Sequence, residues 1–247
     1  MVTVPGFVDI HSHVVPSEDD GAQTVEQGIA LCREAAARGT SVLYATPHVW
    51  AHLPLTPARE RLVATTFELV SAAAGLELRL GYELAPARWL LREDLSRYAL
   101  QGTDALLVEV PFVGAVDVTV AIAERASAQG LRPIVAHPER GEEVDLAVAE
   151  SFAERGWLLQ VNASSLTGRH GDEAEELAWR LLRDGTAAFV ASDGHRQNRP
   201  PYLDEAFALT RADLGSEAAL RYFDGSALPR AGATAPRLPS RATSPGA

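Results

Sequence analysis

The sequence predicts an α/β fold with parallel strands, a barrel of about seven βα units. Three observations predict it. Short apolar runs alternate with helix-periodic segments along the chain. Glycine closes most of those helical segments just before the next apolar run. The length of 247 residues and the 47% hydrophobic content suit one folded unit, since single barrels run to about 200–250 residues. An open doubly wound sheet is the alternative, although no Gly-x-Gly-x-x-Gly follows a strand.

The apolar runs cover residues 6–10, 41–46, 76–83, 105–110, 133–136, 157–161 and 187–191. They are rich in the branched and aliphatic residues that fill a buried parallel sheet. The helix over 24–38 opens on Thr24 as N-cap, with Gln27 three residues later, and closes at Gly39. The helix over 57–74 starts from Thr56 and a first-turn Pro57. Helices over 117–129, 146–155 and 172–184 end at Gly130, Gly156 and Gly185. A shorter helix is expected over 88–95 and a last long one over 201–214. From residue 226 the composition turns to Pro, Ala, Ser and Arg without periodicity. The expected division is one domain over 1–225 and a disordered, Pro/Ala/Arg-rich tail over 226–247.

The formal net charge is −11, and every basic residue is arginine. That balance argues against nucleic acid as a ligand. Cys32 is the only cysteine, so neither an intrachain disulfide nor a thiolate metal cluster is available. It shares a helical apolar stripe with Ile29 and Ala36, which marks it as a buried structural thiol. The start lacks the charged and apolar regions of a signal peptide. No run reaches the roughly 18 apolar residues of a membrane span. A soluble, cytoplasmic protein is expected.

In parallel α/β folds, function collects at the carboxyl ends of the strands. The first such end reads FVDIHSHVVPSEDDG over 7–21. Residues two apart in an extended chain point to one side, so His11 and His13 can face one point. The later strand ends carry His48, Glu83, Glu109, His137, Asn162, and Asp193 with His195. Five of the 7 histidines (His11, His13, His48, His137 and His195) fall at such ends, while His52 and His170 lie in loops. Glu109 sits inside an apolar strand, where a carboxylate is costly unless it is paired or binds metal. Asp9 and Asn162 read as hydrogen bonders that orient ligands. Among Glu18, Asp19 and Asp20, spacing does not choose.

The donors are nitrogen and oxygen without sulfur, which suits Zn, Fe, Mn, Co or Ni. The set is too rich for a single ion, so two or three metals with bridging carboxylates are expected. Such a centre acidifies water, and hydrolysis is its natural chemistry. Arg140, in AHPERG, and Arg199, in HRQNRPP, point to a phosphate ester, because guanidinium binds phosphate in a bidentate fork. Arg196 reads as a surface residue bonding loop carbonyls.

The ordered set HSH to DDG, TPH, GYE, VEV, AHPER, QVNASS and SDGH to RPP resembles the polymerase and histidinol phosphatase (PHP) superfamily. Within it, the set is most similar to the bacterial protein-tyrosine phosphatases of capsule and exopolysaccharide loci. The resemblance runs from about Val8 to the helix after Pro201. It implies the PHP fold, a distorted (β/α)7 TIM-like barrel, and a site for three divalent metal ions. The metal is often manganese, with Fe, Zn, Co or Mg as alternatives. The implied ligands are His11, His13, Asp20, His48, Glu83, Glu109, His137, Asp193 and His195, with Glu83 bridging. Asp20 is selected by the resemblance alone, which leaves Glu18 and Asp19 as a solvated acidic edge. Arg140 and Arg199 match phosphate-binding arginines.

The implied activity is hydrolysis of phosphotyrosine on a tyrosine autokinase that regulates polysaccharide synthesis, by attack of a metal-bridging hydroxide. His137 or a metal-polarised water would protonate the leaving phenolate. The alternatives are a phosphatase for histidinol phosphate or another small phosphomonoester, and a non-catalytic regulator that binds an autokinase tail. The stretch after His48 and the C-terminal tail lie outside the shared pattern.

Overall fold

The computed structural model describes residues 6–196 and 198–229. The alternation expected from the sequence is present. It runs β1 (Phe7–Ser12), α1 (Val25–Ala37), β2 (Thr40–Ala45), β3 (His48–Val49), α2 (Pro57–Ser71), β4 (Glu77–Leu80) and β5 (Glu83–Leu84). It continues β6 (Ala105–Glu109), α3 (Asp117–Ala128), β7 (Arg132–Ala136), α4 (Leu146–Glu154), β8 (Leu158–Asn162) and α5 (Ala163–Leu166). The last elements are α6 (Asp172–Arg183), β9 (Phe189–Ala191), α7 (Asp204–Leu214) and α8 (Ser216–Leu220).

Every strand pairing is parallel, in the orders β1-β2-β4 and β3-β5-β6-β7-β8-β9. The two sheets join into one ring. Strand β2 leads into β3, and β4 into β5, each across a two-residue break. At the other seam, the Asp193 N–H donates to the His11 carbonyl at 2.9 Å and the His13 N–H to the Gly194 carbonyl at 2.6 Å. The result is a distorted seven-membered barrel rather than an open sheet. The break after β4 has a local cause. Gly81 passes Leu100 so closely that a Cβ would lie 2.4 Å from the leucine Cδ2, and its N–H makes the last ladder bond, to the Ala45 carbonyl of β2. The breaks let Pro47 and Tyr82 turn the chain so that His48 and Glu83 stand opposite each other in register.

Ile10, Tyr44, Leu107, Ile134 and Phe189 are buried in one cluster formed by the strands. The other clusters lie between strands and helices. Thr24, Thr56 and Asp145 cap α1, α2 and α4, accepting from Gln27, Arg59 and Val148 N–H groups. Cys32 is fully buried in α1, and burial pushes its thiol pKa up to about 12.

Two expected helices differ. The one over 88–95 is two 3-10 turns, Arg88–Arg92 and Leu95–Tyr98. Gln129 splits them, donating to the Glu93 carbonyl and accepting from the Leu95 N–H. The last long helix begins at Asp204 rather than 201. Pro200 and Pro201 disfavour helical backbone before them, and Pro201 packs against Gly194. Of the expected tail, residues 226–229 continue the turn after α8, with Leu228 packed against the strand cluster. The remainder lies outside the described residues.

Helix α1 presses on the site through Gly28, where a Cβ would lie 2.2 Å from the Val14 carbonyl and 3.0 Å from Val70 Cγ2. Gly→Ala within a helix ordinarily stabilises by about 1 kcal/mol. Here overpacking reverses the sign: Gly28→Ala should lower the free energy of unfolding by about 1–3 kcal/mol, read from urea denaturation midpoints.

Candidate metal centre

The strand ends converge on one carboxylate. Glu83 is fully buried, and His11 Nε2, His13 Nε2 and His48 Nδ1 approach its Oε2 at 3.1, 3.2 and 2.9 Å. His137 Nε2 meets Oε1 at 3.0 Å. Asp193 Oδ1 lies 3.5 Å from each of His11, His13 and His195. Glu109, 8% exposed, completes a group with His48 and Glu83. His195 Nε2 and His48 Nε2 stand 3.2 and 3.5 Å from Asp20 Oδ1, at the rim. The structure therefore brings together all nine expected ligand positions.

Local backbone explains how. His11 and His13 alternate on and just beyond β1. His137 and Asp193 follow β7 and β9 in left-handed backbone, at φ 32° and 50°, which non-glycine residues rarely adopt. Such strain persists where surroundings over-determine it, often at functional sites.

The electrostatics are unbalanced for protein alone. Burial raises the Glu83 pKa, but His11 and His48 outweigh it and hold the carboxyl well below its ordinary range. Burial, then the charges of Glu83 and Asp193, push Glu109 well above its range. His11 and His13 are also raised: burial opposes their charge, and the surrounding carboxylates prevail. Glu83 Oε2 and His48 Nδ1 are close, yet neither makes a hydrogen bond, and His137 Nδ1 is likewise buried and unpartnered. Atoms aimed at a shared cation have this arrangement. Three overlapping donor groups satisfy metal spacing: His13, His48 and His195; His11, His13, Glu83 and Asp193; and His48, Glu83 and Glu109. The residues present fit divalent ions.

The arginines flank Asp193. Arg140 Nη1 donates to Asp193 Oδ2 at 3.0 Å, and Asn162 Nδ2 donates to the same oxygen at 2.9 Å. Arg199 lies against the His195 ring, with Nη2 3.7 Å from Asp193 Oδ1. Arg196 bonds the carbonyls of Asp20 and Gly21, as expected. Asp9 does not touch an imidazole. It accepts from the backbone N–H groups of His11 and Ser192 and so ties β1 to β9. His52 stacks on Trp50, and His170 pairs with Ser164.

Four contributors escaped sequence reasoning. Asp19 is not a solvated edge: it is 7% exposed, and its carboxylate accepts from the N–H groups of Gly21 and His48 while facing His13 Nδ1 at 3.5 Å. The solvated neighbour is Asp20, whose side chain is 55% exposed. The Asp-x-Gly spacing, which favours a turn closed by the aspartate, could have signalled it. Gln160 Oε1 accepts from His11 Nδ1–H at 2.8 Å, and Gln160 Nε2 donates to Asn162 Oδ1; an amide inside an apolar strand was its only sign. Glu139, buried behind them, accepts from Asn162 N–H and Ser165 Oγ–H. Arg59, 4% exposed, donates to the carbonyls of Ser17, His48 and Leu53 and so ties two site loops together. Nothing in its helical sequence distinguishes it from a surface arginine.

The family model for capsular polysaccharide synthesis, CpsB/CapC, matches residues 7–227. The chain belongs to the CpsB/CapC family. It is 28% identical over 221 residues to the tyrosine-protein phosphatase YwqE of Bacillus subtilis, covering 85% of this chain and 86% of the relative. It is 29% identical over 211 residues to the putative tyrosine-protein phosphatase CapC of Staphylococcus aureus, covering 81% and 82%. A solved structure from work on YwqE of Bacillus subtilis and CpsB of Streptococcus pneumoniae, described as unique metal-dependent tyrosine phosphatases, superimposes with a TM-score of 0.74 at 26% identity. That match covers 86% of this chain and 89% of the other. Among the described residues, no helix is long and apolar enough to cross a membrane.

A ligand that binds only the folded state raises stability with its concentration. Chelation should therefore lower the Tm of this CpsB/CapC chain and added Mn²⁺ should restore it. In a Glu83→Gln variant the Mn²⁺-induced rise in Tm should be lost or sharply reduced. Differential scanning calorimetry checks both.

Proposed function

We propose that this chain is a metal-dependent protein-tyrosine phosphatase. It acts in the cytoplasm on phosphotyrosine of a bacterial tyrosine autokinase that governs capsule or exopolysaccharide assembly. The observation that carries the reading is the junction at Asp193: one oxygen faces the imidazoles of the donor cluster, and the other holds a guanidinium in place. Family membership and the phosphatases it resembles support the same reading.

The three overlapping donor groups support three divalent ions, manganese foremost, with Fe, Zn, Co or Mg as alternatives. Glu83 belongs to two of the groups, which supports a bridging role. Asp20 joins from the rim beside His48 and His195. Bound divalent ions supply positive charge against the phosphoryl oxygens and acidify water near neutral pH.

The chain's own residues do the remaining work. Arg140 uses Nη1 on Asp193, which leaves its other donors for phosphoryl oxygens. Asn162 shares that carboxylate oxygen and keeps Asp193 from swinging away. Arg199 holds the phosphoryl group from the His195 side. Burial lowers the His137 pKa, with the Glu83 carboxylate opposing but not prevailing. His137 is thus neutral near pH 7, suited to hold a cation beside Glu83 rather than to donate a proton. A phenolate leaving group needs little protonation.

Chelator-treated protein should lose turnover of a phosphotyrosyl peptide and regain it with Mn²⁺; full activity without metal would overturn the reading. Arg140→Ala should lower kcat/KM by about a hundredfold. Cys32→Ala should retain turnover, and iodoacetamide should leave native Cys32 unlabelled at pH 8, because its thiol stays protonated and buried.

A further inference from the structure

The loop between β6 and α3 carries a large apolar side chain into solvent beside the arginine just described. Phe112 is 45% exposed and Val113 is 79% exposed. Their neighbours are not: His137 is 1% exposed, and the Arg140 side chain is 15% exposed. The Arg140 guanidinium lies 4.3 Å from the Phe112 ring centroid, and the His137 ring lies 5.6 Å from it. Phe112 therefore stands at the lip of the site, between the buried donors and solvent.

Its position is built rather than incidental. The Glu142 N–H donates to the Phe112 carbonyl at 3.0 Å, joining this loop to the segment that follows Arg140. Between them, Gly141 approaches so closely that a Cβ would lie 2.8 Å from Val144 Cγ2, 3.2 Å from Val110 Cγ2 and 3.3 Å from the Pro111 carbonyl. Absence of a side chain at Gly141 allows the two loops to lie together. One side of this ring rests on the cation proposed to grip phosphate, and the remainder is open.

We propose that Phe112, with Val113 beside it, is the specificity element that packs on the aromatic ring of an aryl phosphomonoester whose phosphoryl group is held by Arg140. The inference rests on the phosphatase reading for the position of the phosphoryl group and goes beyond it in assigning the ring's contact. A substrate ester oxygen leads outward from Arg140, so the group attached to it meets the lip first. A flat ring there gains an offset or edge contact with Phe112, and an alkyl phosphate does not.

The test uses the Mn²⁺-loaded full chain and two non-hydrolysable probes, benzylphosphonate and methylphosphonate, by isothermal titration calorimetry. Phe112→Ala should weaken benzylphosphonate by about fivefold and leave methylphosphonate affinity within error. Phe112→Tyr should restore the preference for the aryl probe. Equal loss for both probes would mean that Phe112 only positions Arg140 and would overturn the proposal. Unchanged affinity for both would overturn it as well. Wild-type protein that prefers benzylphosphonate through Phe112 but hydrolyses no phosphotyrosyl peptide would uphold the ring contact while removing the phosphatase reading.

Discussion

The burial of Glu83 is the constraint on which the site depends. A carboxylate with no solvent exposure is expensive unless compensated, and here four imidazoles, at or just past the ends of β1 and β7 and at the start of β3, meet it. Glu109 and Asp193 add further buried negative charge within the same space. Protons alone satisfy such a set poorly, as the opposed shifts of Glu83 and Glu109 show. Divalent cations satisfy it directly. The barrel supplies the geometry because its parallel strands all deliver their ends to one face.

A second layer of contacts keeps those ends in place. Arg59 gathers three carbonyls from the loops around His48 and Ser17. A chain of hydrogen bonds runs from His11 through Gln160 and Asn162 to Asp193, and therefore to Arg140. The histidine that faces the donor cluster and the arginine proposed for phosphate thus share one network. Left-handed backbone at His137 and Asp193 aims both residues inward at a conformational cost that the packing around them sustains.

The fold was legible because glycine and cap residues punctuate each βα unit, and because His11 with His13 and Asp193 with His195 repeat a two-residue spacing. Features set by irregular backbone or long-range packing were not. Asp19 and Asp20 are adjacent in a loop without periodicity, and the turn that accepts Gly21 N–H decides which one is buried. The helix expected over 88–95 gave way to a distant side chain, Gln129, that local propensity does not see. Arg59 looks like any other helical arginine until α2 is packed against the site loops. Phe112 lies two residues past the apolar run over 105–110, where nothing local marks it, and only the tertiary structure shows it exposed beside Arg140.

Elemental analysis of the purified full chain, alongside a Glu83→Gln variant, tests the central claim most directly. The account predicts more than one tightly bound divalent ion per wild-type chain and a marked fall in the variant, since Glu83 lies in two of the donor groups. A purified wild-type chain that retains no divalent ion, and takes up none when Mn²⁺ is supplied, would contradict it.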